Sequence, residues 1–379
     1  MLYLYYETLR STLKRAYIAV TNDLATDQRV MRVTSLLMGQ GVAVTCFGRR
    51  LRNSPAVTGT GSSIRLFRLL FNKGPMFYAC FNIRLFLTLL FVPEPALFIS
   101  NDLDTLPACR LAARIRKVKL IYDSHEFFTQ VPELIHRKRV QSVWKWIEHR
   151  IVPHLSYAVT VSYSIAEIYR RLHGTRFRVV RNVPALRTPP PEVPGKEDGK
   201  RVIIYQGALN VGRGLELMID TMQYLEDTVF MIVGTGDIET DLKRMVEEKG
   251  LGGKVVFKGR LSPEELYPLT CSADLGISLE EDLGLNYRYA LPNKIFDYVQ
   301  CRIPVLCSAL PEMAKVVEAY GIGVAARYRE PERLAKIIRY MLCERSEGAW
   351  REALDRAAGE LNWENESKEY LALLGECGI

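Results

Sequence analysis

Five short apolar runs divide the chain between Arg201 and Ser308, and most are followed by glycines or polar residues and then a helical stretch. They are Arg201–Gln206, Phe230–Val233, Val255–Phe257, Leu275–Leu279 and Ile303–Cys307. Strands this short and this apolar are buried on both faces, which a parallel sheet flanked by helices provides. Ligands meet such sheets at the carboxyl ends of the strands, where helix starts present unpaired N–H groups. Gly207-Ala208-Leu209-Asn210-Val211-Gly212-Arg213-Gly214 lies between the first run and a predicted helix, Leu215–Tyr224. Gly234-Thr235-Gly236 repeats the device after the second run. Glycines there let the backbone approach a diphosphate, and Arg213 supplies a forked cation for it. Another helix is predicted to start near Pro292, whose ring pre-sets the first turn. Asn293 and Asp297 suit its positive end, and Lys294 adds a mobile cation. Asp297, one turn on, is placed to hold the two hydroxyls of a ribose. The stretch from Asp274 to Ser308 is therefore expected to seat a nucleotide-linked substrate.

The N-terminal half opens with its own strand–helix–strand series: Ala16–Thr21, Asp27–Gly39 and Val42–Phe47. The loop from Asn22 to Arg29 carries no GxGxxG, which argues against a dinucleotide site there. Its polar residues Asn22, Asp23, Asp27 and Arg29 are expected to meet an acceptor, with helix capping by Thr26 or Asp27 as the competing reading. Pro95–Ser100 and Lys119–Asp123 are further strands, ending in Asn101-Asp102-Leu103-Asp104 and Asp123-Ser124-His125-Glu126. Asp102 joins the acceptor candidates. The Asp-x-Asp spacing alone is too common to establish a metal site, and none is assigned. His125 follows a strand end between two carboxylates, where a ligand contact competes with a structural role. Strands at Val159–Ser162 and Arg178–Val180 precede a Pro- and Gly-rich linker, 184–200.

Charge is divided unevenly. Met1–Pro190 holds 28 Lys and Arg against 11 Asp and Glu, and the remainder 23 against 32, giving the overall +8. A basic half beside an acidic half implies two binding tasks, the basic one facing anionic material. Arg65, Arg68, Lys73 and Arg84 interrupt the apolar stretch 64–93. Ile64–Lys73 suits an interfacial membrane segment, whereas Met76–Val92 suits either that or a helix packed on the sheet. No uninterrupted apolar run reaches the ~18 residues of a spanning helix. The eight cysteines show no CxxC or metal spacing and fit reduced thiols of a cytoplasmic protein, held peripherally on an anionic membrane face. No nucleic-acid module is present, and residues 1–15 form an aromatic lead-in of no assigned role.

YQGALNVGRGLELMIDTM (205–222), MIVGTGD (231–237), VVFKGRLSPEELYPLTCSADLGISL (255–279) and LPNKIFDYVQCRIPVL (291–306) together resemble the donor domain of family-four retaining glycosyltransferases with the GT-B fold. VTNDLATDQRV, YDSHE and RNVP resemble the same family's acceptor domain and interdomain junction. The resemblance implies an α/β fold of two Rossmann-like domains facing a cleft, residues 16–183 and 200–362, with helix 363–379 crossing back to complete the first. It further implies a retaining transfer of sugar from a UDP- or GDP-sugar co-substrate to a saccharide or lipid-linked acceptor, without metal or other cofactor. Gly207, Arg213, Gly214, Gly234, Gly236, Arg260, Leu261, Asn293, Lys294 and Asp297 would bind the donor. Arg213 and Lys294 would carry the leaving diphosphate, with Lys294 compensating for Ala208, where the family usually has a cation. His125 would contact the transferred sugar. The family's two glutamates stand eight positions apart. Here Glu281 resembles the first and Asp297 the second, sixteen apart (297 − 281), so about eight residues, Asn286–Asn293, look inserted. Glu280 is the alternative to Glu281. A sugar-nucleotide 2-epimerase and a catalytically lapsed membrane scaffold are the competing functions.

Overall fold

In the computed structural model the described residues are 14–22, 24, 27–50, 61–193, 199–344 and 348–379. The lead-in 1–13, Asp23, Thr26 and the middle of the linker lie outside them. The chain divides into two compact units, Met1–Arg181 with Ser367–Ile379, and Asn182–Glu366.

The first unit is built on seven parallel strands: β1 (Arg15–Ala19), β2 (Ala43–Arg49), β3 (Ser63–Phe67), β4 (Pro95–Asn101), β5 (Lys119–Ser124), β6 (Tyr157–Thr160) and β7 (Arg178–Val179). Their order is β3-β2-β1-β4-β5-β6-β7, so the order reverses between β1 and β4. β3 corrects the interfacial reading of Ile64–Lys73. Its alternating Ile64-Arg65-Leu66-Phe67 pairs in register with Cys46–Arg49 as an edge strand. Phe67 stacks on Phe47 at 5.8 Å, and Phe47 on Tyr17 at 6.1 Å, forming a ring ladder across β1, β2 and β3. The helix Gly74–Phe91 caps that ladder with Phe77, Phe81, Leu85 and Leu89, a buried stripe at four-residue spacing. By length and composition this helix is apolar enough to cross a membrane, since Arg84 alone interrupts it. The final helix, Trp363–Glu376, ends in this unit: Arg178 pairs with Glu376, and Lys119 donates to the Glu376 carbonyl at 3.0 Å.

The second unit has six parallel strands: β8 (Arg201–Gln206), β9 (Thr228–Val233), β10 (Val255–Gly259), β11 (Leu275–Ser278), β12 (Val305–Ser308) and β13 (Gly323–Ala326). The order is β10-β9-β8-β11-β12-β13, reversing between β8 and β11. Its core runs from Val183, ahead of β8, to Leu361 and buries every residue of β11 and β12. The helix Pro263–Cys271 starts with the expected capping box of Ser262 and Glu265.

Candidate active site

In an open parallel sheet, the crevice at the point where strand order reverses is open at the strands' carboxyl ends. In the second unit that crevice lies between β8 and β11, edged by the loops that follow them. Gly207 and Gly234 both stand at φ +138°, and a side chain on Gly234 would collide with the Gly207 carbonyl. Gly214, at φ +73°, is crowded in the same way by Leu279. These glycines thus let the loops pack on one another, a role the sequence reading had given mainly to the ligand. A backbone bond from Glu281 N–H to the Gly212 carbonyl, 2.8 Å, ties the loop after β11 to the glycine loop after β8.

That tie brings three charges together. Lys294 Nζ donates to Glu280 Oε1 at 2.9 Å, and Arg213 Nη1 stands 3.6 Å from the same oxygen. Ser278 donates to the other oxygen at 2.7 Å. Glu280 is fully buried. Burial alone would raise its carboxyl, but Lys294 and Arg213 outweigh it and hold the group below its usual range. Aromatic rings position both cations: Lys294 Nζ lies 4.1 Å from the Tyr205 ring centre, and the Arg213 guanidinium 5.3 Å from that of Tyr287. Tyr205 donates in turn to the Ala208 carbonyl at 2.7 Å. The helix Asn293–Gln300 starts after Pro292, which is its N-cap and not its first residue. It buries Lys294 and leaves Asn293 exposed. Asp297 accepts from Gln206 Nε2 at 2.8 Å, which places it beside the end of β8.

The carboxylate between the cations is therefore Glu280. Glu281, expected first, points away and pairs with Arg329 at 3.0 Å, its side chain 38% exposed. Arg329 was not anticipated. It also donates to the Leu279 and Glu280 carbonyls and to Ser308, bracing the loop after β11. Its only sequence signal was a position three residues past a strand, hidden in the charged run Arg327–Arg333. Of the residues expected to be inserted, Asn286–Arg288 lie in the short helix Leu285–Arg288, which lays Tyr287 against the glycine loop through a bond to the Val211 carbonyl, 3.2 Å. Arg260 is exposed just past β10, and Leu261 is half-buried against the core.

At the reversal in the first unit, between β1 and β4, a second polar group gathers. Asp102, in the left-handed region at φ +56°, accepts the His125 backbone N–H at 2.9 Å. His125 Nε2 lies 3.1 Å from Asn101 Oδ1. Burial lowers the His125 imidazole below its ordinary range, against the opposing pull of Asp123 and Asp27, so the ring is neutral at pH 7. Thr21 donates to Asp104 Oδ2, while Asp104 Oδ1 is buried with no side-chain partner among the described residues. Burial raises the Asp104 carboxyl to about 7. Two acceptor expectations need correction. Arg29 is buried, with its guanidinium on Asp123 at 2.8 Å and on the Val180 carbonyl at 2.8 Å, so it packs the unit and has no face for a ligand. Asp27 caps the helix Gln28–Gly39 through the Val30 N–H, the reading that competed with ligand contact. Asn22 is exposed, and Asp23 lies outside the described residues.

The model for glycosyl transferases group 1 matches residues 188–358, and that for glycosyltransferase family 4 matches residues 27–183. The chain belongs to the family-four type of glycosyltransferase. The fold is GT-B, shared with HepE of Anabaena, solved in complex with UDP and glucose, at TM-score 0.73 and 14% identity over 96% of this chain and 100% of that one. Sucrose-phosphate synthase of Thermosynechococcus elongatus aligns at TM-score 0.76 and 15% identity, over 96% of this chain and 98% of that one. WaaG, a glycosyltransferase of lipopolysaccharide biosynthesis, gives 0.67 and 15%, over 95% and 98%. A curated relative, an uncharacterized glycosyltransferase of Methanocaldococcus jannaschii, is 23% identical over 185 residues. That match spans 46% of this chain and 45% of the relative, so this glycosyltransferase aligns with less than half of its length.

Proposed function

We propose that this glycosyltransferase moves a sugar from a UDP- or GDP-sugar to a lipid-linked or cell-envelope saccharide, with retained configuration and no metal, at the cytoplasmic face of the membrane. The observation that carries the donor half is the buried Glu280 holding Lys294 and Arg213 at the strand-reversal crevice. Departure of a nucleoside diphosphate builds negative charge on the leaving phosphate while the anomeric carbon turns oxocarbenium-like. Two ring-backed cations, already ordered, stabilise that charge without reorganising. Glu280 keeps them close together until the diphosphate arrives. Asp297, beside Gln206, is the carboxylate for the ribose hydroxyls, and the neutral His125 is suited to donate to or accept from a sugar hydroxyl, not to pair as a cation. In a front-face reaction the leaving phosphate itself takes the proton of the acceptor hydroxyl. The basic N-terminal half and the bare apolar face of Gly74–Phe91 support a membrane-borne acceptor.

The test is turnover of labelled UDP- and GDP-sugars by the purified chain, with and without membrane extract. Acceptor-dependent release of nucleoside diphosphate and an α-linked product from an α-linked donor are expected. Release of a free sugar inverted at C2 would instead establish an epimerase. No consumption of any donor would establish a scaffold. Loss of activity in chelator would overturn the metal-free reaction.

A further inference from the structure

In the second unit a buried polar chain ends on Asp297, and the leaving-group chemistry makes no use of it. Gln206 is the last residue of β8, in register with Val233 of β9. It is 6% exposed, and both ends of its amide are engaged. Nε2 donates to Asp297 Oδ2 at 2.8 Å, and Oε1 lies 2.8 Å from the Thr270 hydroxyl. Thr270 is buried near the end of the helix Pro263–Cys271. The helix Asn293–Gln300, which carries Asp297, is anchored at the next residue. The buried Tyr298 hydroxyl is shared by the Ile277 and Ile204 carbonyls at 3.1 and 3.3 Å, and Gly276 of β11 leaves room for the ring. Tyr298 thus sets the helix against β8 and β11, and Gln206 sets the carboxylate upon it.

The chain has one workable polarity. A carboxylate only accepts, so the end of Gln206 that faces Asp297 is its NH2 and the end that faces Thr270 is its carbonyl. The Thr270 hydroxyl has a single proton and two acceptors, Gln206 Oε1 and the Leu266 carbonyl, both at 2.8 Å. The Leu266 carbonyl already accepts the helix's own N–H four residues on, whereas the Gln206 carbonyl depends on this hydroxyl. Given to Gln206, the proton locks the amide. Given to Leu266, it frees the amide to turn and set oxygen against oxygen. An apolar side chain of the same shape would pack here and need no partners, so packing does not account for the amide. Its place is explained by the carboxylate it aims. A ribose offers two adjacent hydroxyls, and a carboxylate accepts from both only in one orientation, which a supporting hydrogen bond holds in advance.

We propose that Gln206, oriented by Thr270, is a positioning residue that aims Asp297 at the donor's ribose and makes nucleotide binding depend on the ribose hydroxyls. The inference rests on the reading of Asp297 as the ribose carboxylate. The test is calorimetric titration of the full chain with UDP, GDP and the 2′,3′-dideoxy form of each, the tighter-binding base serving for the comparison. The parent is expected to favour the ribonucleotide by about tenfold or more, because the analogue leaves a built polar site unpaired. Gln206→Leu and Thr270→Val should each lower that preference at least about fivefold by weakening the ribonucleotide alone, while Thr270→Ser keeps it. In turnover, Gln206→Leu should raise KM for the donor and leave kcat within about twofold, since ribose contacts are equal in ground and transition states. Circular dichroism checks each fold, and the near-isosteric Thr270 variants decide the matter where Gln206→Leu does not fold. If ribonucleotide and dideoxynucleotide weaken together in the variants, Gln206 serves packing alone and the proposal is overturned. A preference lost in Asp297→Ala yet kept in Gln206→Leu and Thr270→Val overturns the positioning role only. A preference kept in Asp297→Ala overturns the ribose reading itself, and with it the proposal.

Discussion

With Lys294 at 2.9 Å and Arg213 at 3.6 Å, the Glu280 carboxylate cancels one of two positive charges and leaves a net single charge for a diphosphate. Removing either cation strips stabilisation from the leaving group. Arg213→Ala and Lys294→Ala should each lower kcat by ~10²–10³-fold, measured by nucleotide release, with the circular dichroism spectrum retained. The adjacent glutamates should then behave differently. Glu280→Gln abandons a buried pair and is expected to cost about 3–5 kcal/mol in urea unfolding. Glu281→Gln touches a half-exposed pair with Arg329 and should cost no more than ~1 kcal/mol. Similar losses from both would undo the assignment of Glu280 as the buried partner. In the other unit, the Asp104 carboxyl is raised from 3.8 to about 7 by burial. A carboxyl raised on folding binds its proton more tightly in the native state, so its contribution is full below 3.8 and is lost as pH rises through about 7. Asp104→Asn should therefore unfold at the same urea concentration as the parent near the low end of that window and at a higher one above it. A constant gap across the window would contradict this.

Elements bring those residues together, and glycines set how closely. Gly234 has its backbone at φ +138° with the Gly207 carbonyl against the site of its missing side chain. Gly234→Ala must move the glycine loop that carries Arg213, and is expected to lose at least ~2 kcal/mol of stability. It should also weaken UDP binding, read by titration of the folded variant; unchanged affinity and stability would show that the two loops pack independently. The short helix Leu285–Arg288 explains the wide carboxylate spacing, because its Tyr287 supplies the ring under Arg213. β3 teaches a different lesson. The segment around Arg65 looks like an interfacial helix when its cations are read alone. The two-residue alternation, and Phe67 packed between Phe47 and Phe81, make it a strand.

At the scale of the molecule, the excess of Lys and Arg falls almost wholly in the unit that also bears the exposed apolar helix face. Electrostatic attachment should show as binding to phosphatidylglycerol vesicles that weakens between about 0.05 and about 0.5 M NaCl, followed by co-sedimentation. Salt-independent binding would mean that insertion of the helix face dominates. The fold was legible in the chain because its signals are local: strand length, apolar periodicity, and glycine between strand and helix each act within about ten residues. So were Arg213 and Lys294, marked by a glycine loop and a proline-led helix start. The choice of Glu280 over Glu281 was not, because it depends on Lys294, fourteen residues later (294 − 280), folding back onto β11. Nor were Tyr205, Tyr287 and Arg329, whose work exists only after separate strands align. Arg29 was misread for the same reason, its partner Asp123 lying on β5, two strands along the sheet from β1 and far away in sequence. Local chemistry wrote the elements into the sequence, whereas burial and charge pairing are properties of neighbours that only the folded chain supplies.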